Sequence, residues 1–217
     1  MALLRSFHDD QIGLRSKKIV NVFQRVLTRG SLFSNIDELL TERFWHVGPV
    51  FAIGKPDEPL PPLGAARAYL SGEDWHTVVS ELMKEARAII LVLDYTEGLL
   101  WELHHAREAG HLGKTVLLVP PDHRADTQLL AGVLSVLGAD NEKIDSAAAQ
   151  SAIALLPVST GCIAALYGNC VDSYAYDLSL RLGLHAILGD RELPGELQSI
   201  FVPASLTNLT KESRMGA

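Results

Sequence analysis

The sequence predicts an α/β fold in which helices flank a mostly parallel sheet. Short apolar runs alternate along the chain with segments of helical period, which is the pattern of consecutive strand and helix units. One of these runs, residues 88–93, is continuously apolar, as expected of a strand that helices cover on both faces. The 217 residues are 47% hydrophobic, which is enough to bury one large core. We therefore predict one α/β domain over residues 1–189.

Apolar runs that end at turn residues predict the strands. They lie at residues 2–7, 50–53, 88–93 and 115–119, and at 153–157 leading through a turn into 162–167. Residues 65–70 are either a short strand or an extended approach to the next helix. Helical spacing of apolar residues predicts helices that include residues 39–45 and 78–86 and that span 99–110, 128–137 and 174–188.

Two segments do not join this alternation. Residues 13–29 are basic, and their apolar spacing does not assign them to a helix or to a strand. Residues 190–217 contain prolines together with Ser, Thr, Asn and Lys, which predicts a loosely packed C-terminal tail.

The charge balance argues against a nucleic-acid partner. Lys and Arg total 19 while Asp and Glu total 26, a net charge of -7, and binding to phosphate backbones needs a clustered excess of cations. No apolar stretch is long enough to predict a membrane span, and the N-terminus does not read as a signal peptide. The two cysteines are too few for a disulfide framework, and no metal-ligand spacing is present. We expect a cytoplasmic protein without a metal site.

Ligands of open α/β sheets bind outside the carboxyl ends of the strands. Three segments follow predicted strands in this way, namely residues 5–10, 54–67 and 94–105. Within the third, Glu102 lies near the start of a helix that presents apolar residues to the core, and Trp101 precedes it. A half-buried carboxylate there can act as a nucleophile or as an electrostatic stabiliser when a C–N glycosidic bond breaks, because that transition state carries positive charge on the sugar. The alternative is that Glu102 only complements the helix N-terminus.

The same segment resembles two related families. Residues 88–103 read Ala-Ile-Ile-Leu-Val-Leu-Asp-Tyr-Thr-Glu-Gly-Leu-Leu-Trp-Glu-Leu, which looks like the strand, loop and helix around the catalytic glutamate of TIR domains. Residues 3–10, with Ser-Phe followed by acidic residues, look like the TIR opening strand. Nucleoside 2-deoxyribosyltransferases are also similar, through a glycine-containing turn, a Trp-Glu-Leu helix start and a Gly-Lys strand entry. These are Gly98, residues 101–103 and residues 113–116.

The resemblance implies a flavodoxin-like three-layer sandwich and a nucleotide ligand. Glu102 would be the catalytic carboxylate, and NAD or a related nucleotide would be the substrate rather than a resident cofactor. Nucleotide-binding residues would be Arg5, Ser6, Phe7 and Trp101, with Lys55 and Arg67 expected to face phosphate because of the loop to which they are assigned.

Three functions remain open from the sequence. The first is a TIR-like domain that hydrolyses the ribosyl–nicotinamide bond of NAD. The second is a non-catalytic TIR-like module that associates with itself or with a signalling partner. The third is nucleoside deoxyribosyl transfer.

Overall fold

The computed structural model describes residues 1–5, 36–54, 65–69, 74–124, 126–139, 151–159, 162–168 and 172–189. Within these ranges the predicted fold class is confirmed, because helices cover both faces of a mostly parallel sheet in a flavodoxin-like three-layer sandwich. The basic segment 13–29, the proline-rich loop after the second strand and the tail 190–217 lie outside the described residues.

Seven strands form the described sheet. They are β1 (Ala2–Leu4), β2 (Phe51–Gly54), β3 (Ala66–Tyr69), β4 (Ile89–Val92), β5 (Thr115–Leu118), β6 (Ala152–Ser159) and β7 (Cys162–Tyr167). Their order is β3-β2-β1-β4-β5-β6-β7. Pairing is parallel from β3 through β5, and β6 runs antiparallel to both β5 and β7. Of the predicted segment 65–70, Ala66–Tyr69 therefore forms an edge strand of the described sheet.

Five helices are described, and local signals start and stop several of them. They are α1 (Ile36–Phe44), α2 (Trp75–Glu85), α3 (Glu97–Glu108), α4 (Thr127–Leu137) and α5 (Ser173–Leu188). The side chains of Thr96, Asp126 and Asp172 each accept a hydrogen bond from the backbone N–H three residues later, which satisfies a donor that the first helical turn leaves open. Because Thr96 is the cap, α3 begins at Glu97, two residues before the predicted start.

Two apolar cores lie on opposite faces of the sheet. On one face α1 and α5 pack over strand residues such as Leu3, Ile90 and Val116. On the other face α2, α3 and α4 pack over their alternating neighbours, such as Leu4 and Leu91. The continuously apolar β4 is buried on both sides, as its composition predicts. Among the described helices, none combines the length and hydropathy needed to cross a bilayer.

Candidate functional site

The strand order locates the edge of the sheet at which a ligand would bind. From β1 the chain moves outward to β2 and β3, then returns to β4 and continues outward on the other side to β5. Such a reversal opens a crevice between the loops that leave the carboxyl ends of the two central strands. Arg5 directly follows β1, and Asp94 follows β4 at this edge. Helix α3, which carries Glu102, begins three residues after Asp94.

Glu102 lies on the inner side of α3, in its second turn. Leu99 and Ala106, three residues before it and four after it, belong to the core on this face of the sheet. Residues at these spacings share one side of a helix, so Glu102 is turned inward with them. Only 4% of the residue is exposed. Glu102 is thus buried, rather than half-buried as the sequence suggested.

Among the described residues, no neighbour neutralises the carboxyl group of Glu102. In the described part of the chain its Oε2 is buried and has no hydrogen-bond partner. Burial raises the pKa of Glu102 from an ordinary value of 4.5 to about 8. The group is therefore mostly protonated at neutral pH, and it would ionise when a cation or a strong hydrogen-bond donor reaches it.

Another buried carboxylate, Asp37, is stabilised by ion pairs with two arginines. The Asp37 Oδ2 atom accepts hydrogen bonds from Arg5 Nη2 at 3.1 Å and from Arg67 Nη2 at 2.8 Å. All three side chains are at most 5% exposed. Buried carboxylates are usually paired in this way, and Glu102 Oε2 is the one carboxyl oxygen among the buried atoms of the described residues that has no hydrogen-bond partner, which calls for an explanation.

Arg5 and Arg67, both predicted to bind the nucleotide, contact the same carboxylate. Arg67 lies within β3, which is the strand alternative for this segment, and not in the loop on which its expected phosphate-facing role was based. Both guanidinium groups contact Asp37 on α1, on the face of the sheet opposite to α3 and Glu102. The other predicted nucleotide-binding residues, Ser6, Phe7 and Lys55, lie outside the described residues.

Trp101 belongs to a cluster of aromatic rings that joins α2 and α3. His105 stacks on Trp101 with ring centroids 5.0 Å apart and planes 5° apart. Two rings of α2 also contact Trp101. The ring centroid of His76 lies 4.3 Å from that of Trp101 in an edge-on arrangement, and the ring centroid of Trp75 lies 5.0 Å from that of Trp101. A ligand ring that stacks on the His105 side of Trp101 must first displace His105.

A polar cluster that was not predicted from the sequence lies at the carboxyl ends of β4 and β5. His123 Nε2 lies 3.4 Å from Asp94 Oδ1, and His123 Nδ1 lies 3.9 Å from Asp126 Oδ2. Tyr95 donates its hydroxyl hydrogen to Asp126 Oδ1 at 2.6 Å. This hydrogen bond raises the pKa of Tyr95 and lowers the pKa of Asp126. The polar residues that follow the apolar run 115–119 were the available signal.

These polar groups do not form a metal site. The described ranges contain no set of three or more His, Cys, Asp and Glu side chains that could hold a metal ion. Within the cluster, each acidic side chain already has a protein partner, so the cluster connects the β4–α3 turn to the start of α4.

The chain was compared with protein-family models, curated proteins and solved structures. None of them matches it. The resemblance around Glu102 therefore stays a prediction, and the chemistry must be argued from the side chains. Of the predicted residues, the structure places Trp101 and Glu102 on one helix and Arg5 and Arg67 on one carboxylate, and it does not bring the two pairs together.

Proposed function

We propose that this protein is a TIR-like nucleotide-binding domain that hydrolyses the ribosyl–nicotinamide bond of NAD, with Glu102 as the catalytic carboxylate. The observation that carries the proposal is the buried carboxyl group of Glu102, whose Oε2 atom has no partner among the described residues. The resemblance of residues 88–103 to the segment around the TIR catalytic glutamate selects the reaction.

A carboxyl group in this state is costly to the fold. Burying an acid without a partner either costs free energy or holds the acid protonated, and natural proteins usually avoid both. Asp37 in the same molecule is equally buried but has two arginines. Strongly perturbed carboxyl groups of this kind are concentrated at functional sites.

The proposed substrate supplies a positive charge, which the described surroundings of Glu102 lack. The nicotinamide ring of NAD is a pyridinium cation bonded through its nitrogen to C1′ of the ribose. Breaking this bond leaves the electron pair on the nicotinamide nitrogen and moves positive charge onto the ribose. The Glu102 carboxylate stabilises that charge, either across space or by a transient bond to C1′. Water then forms the new C1′–O bond and releases one proton, which gives ADP-ribose and nicotinamide.

The raised pKa of Glu102 predicts how the reaction depends on pH. In the free protein the carboxyl group is mostly protonated below about pH 8, and only the ionised form stabilises a cation. The value of kcat/KM is therefore expected to rise as pH increases through about 8, as far as the protein remains folded. A profile that falls over this range would contradict a catalytic carboxylate.

The burial of Glu102 also defines how a ligand would enter. At 4% exposure the carboxyl group is closed to solvent, so binding must separate side chains that cover it. The aromatic cluster between α2 and α3 includes Trp101, the residue that precedes Glu102 on the helix. We expect NAD binding to change the fluorescence of these tryptophans.

The direct test is nicotinamide release from NAD by the purified protein and by two variants, Glu102→Ala and Glu102→Gln. Both variants should lose at least about a hundredfold in rate, because the charge that stabilises the transition state is gone. Glu108→Gln is the matched control, since Glu108 is an exposed residue on the same helix, and it should retain activity. Equal rates in all four proteins, or no release by any of them in dilute or concentrated solution, would reject the proposal.

A non-catalytic module that associates with itself is the second candidate. The closure of Glu102 favours it, as does the presence of large apolar side chains on the surface, among them Trp45 at 74%, Tyr174 at 64% and Phe51 at 43% exposure. This candidate predicts oligomers whose population rises with protein concentration and is unchanged by Glu102→Ala. Sedimentation velocity over a concentration series measures the population of oligomers.

Deoxyribosyl transfer is the third candidate, and exchange of base between a deoxynucleoside and free purine would indicate it.

A further inference from the structure

A residue of helix α2, Trp75, packs against a glycine in the first turn of α3. A Cβ atom built on Gly98 would lie 3.6 Å from Cη2 and 3.7 Å from Cζ2 of Trp75. These are ordinary contact distances, so the Trp75 indole lies against the first turn of α3 at a place where no side chain separates them. Gly98 thereby marks the side of α3 that faces Trp75.

Glu102 lies on this same side, one turn further along. It is four residues after Gly98, and residues at this spacing are stacked along one side of a helix. Helical side chains lean toward the helix N-terminus and cover the turn before their own Cα atom. The side chain of Glu102 is therefore directed over the turn that contains Gly98, which is where the Trp75 indole lies.

The indole of Trp75 is held in place by other rings. Its centroid lies 5.0 Å from that of Trp101 and 4.8 Å from that of His76. Trp101 is in turn stacked on His105. Aromatic contacts of this kind fix the orientation of the rings, so Trp75 forms a stable apolar wall rather than a freely moving side chain.

We propose that Trp75 is a positioning residue for Glu102, whose indole closes the α2 side of the carboxyl group and keeps water away from it. The inference rests on the proposed function in one respect, since a role in catalysis requires that Glu102 act on a substrate. The physical effect on the carboxyl group does not depend on catalysis.

The test is to measure the protonation of Glu102 directly in the folded protein. The side-chain carboxyl carbon of Glu102, assigned by comparison with Glu102→Gln, is followed by NMR from about pH 5 to pH 9 in protein labelled with ¹³C. Burial is the cause of the raised pKa of Glu102, so admitting water must lower it. In Trp75→Ala we expect the titration midpoint to fall by at least about one pH unit. Trp75→Phe, which keeps part of the apolar wall, should give a smaller fall in the same direction.

Trp45→Ala is the matched control, because Trp45 follows α1 on the other face of the sheet and is 74% exposed. It should leave the midpoint of Glu102 unchanged. A midpoint in Trp75→Ala equal to that of the unsubstituted protein overturns the inference. If Trp75→Ala does not fold, Trp75→Phe decides, and a midpoint in this variant equal to that of Trp45→Ala overturns it.

The two proposals fail in different ways. A lowered midpoint in the Trp75 variants without any nicotinamide release from NAD would support the positioning role and reject the NAD reaction. If the protein is active, the pH at which kcat/KM rises should shift downward in Trp75→Phe together with the midpoint. Activity lost in Trp75→Phe with an unchanged pH profile and midpoint would overturn the positioning role.

Discussion

Glu102→Gln is expected to be more stable than the unsubstituted protein, and this advantage in the free energy of unfolding should grow as pH rises. In the folded state the carboxyl group has a pKa of about 8, whereas in the unfolded chain it titrates near 4.5. Between these values the unfolded chain has released its proton and the folded protein has kept it. Since the unfolded state then binds fewer protons, the free energy of unfolding falls as pH increases across this interval.

The size of the effect follows from the two pKa values. The difference between the pKa of Glu102 in the folded protein and in the unfolded chain lowers the free energy of unfolding by about 1 kcal/mol at pH 5 and by about 3 kcal/mol at pH 7. Glutamine has the shape of glutamate but does not titrate. The stability advantage of Glu102→Gln over the unsubstituted protein should therefore be about 2 kcal/mol larger at pH 7 than at pH 5. Such a gain would also identify Glu102 as a residue whose presence reduces stability, as functional residues often do.

Urea denaturation at pH 5 and pH 7 measures this difference. Glu108→Gln, an exposed substitution at the other end of α3, should differ from the unsubstituted protein by only a few tenths of a kcal/mol at both pH values. If the stability difference between the unsubstituted protein and Glu102→Gln is the same at pH 5 and pH 7, water reaches the carboxyl group. That result would refute the burial of Glu102 as the cause of its raised pKa.

Three further tests of the packing, two of them with a matched control substitution, use the same urea measurement. Asp37→Ala leaves two arginines buried without their shared carboxylate and should cost about 3 to 5 kcal/mol, whereas Glu81→Ala removes an exposed ion pair and should cost less than about 1 kcal/mol. Gly183→Ala places a Cβ atom 3.1 Å from two core side chains and should cost about 1 to 3 kcal/mol, while Gly132→Ala meets no atom within 4 Å and should stabilise α4 by up to about 1 kcal/mol. Asp126→Ala removes both the cap of α4 and the acceptor of a tyrosine hydroxyl, for a cost of about 1 to 2 kcal/mol. Equal stabilities within either pair would contradict the corresponding contact.

Much of the fold could be predicted because its signals are local. The apolar runs 88–93 and 115–119 became β4 and β5, and a continuous run is explained by burial on both faces. Helices α4 and α5 begin within one residue of the predicted starts, because capping residues and apolar spacing act over a few positions. The start of α3 was missed by two residues, since Thr96 was assigned to the turn rather than to the cap.

The candidate site was predictable only in part. The residue type and position of Glu102 could be read from the sequence, and so could its place after a central strand. Its degree of burial could not, because that depends on how α2 and α4 pack beside α3. The cluster of Asp94, His123 and Asp126 was missed for a similar reason, since it forms between segments that follow two different strands.

The sequence by itself determined which segments become strands and helices, since apolar period, caps and turn residues act within a few positions along the chain. Only the tertiary structure decided which side chains meet. Asp37 is 32 residues from Arg5 and 30 from Arg67, and Trp75 meets Gly98 from a different helix. Contacts of this range depend on the order of the strands and on the face that each helix covers. The same packing pairs the buried acid Asp37 with two arginines on one face of the sheet, whereas on the other face the Oε2 atom of the buried acid Glu102 has no partner among the described residues.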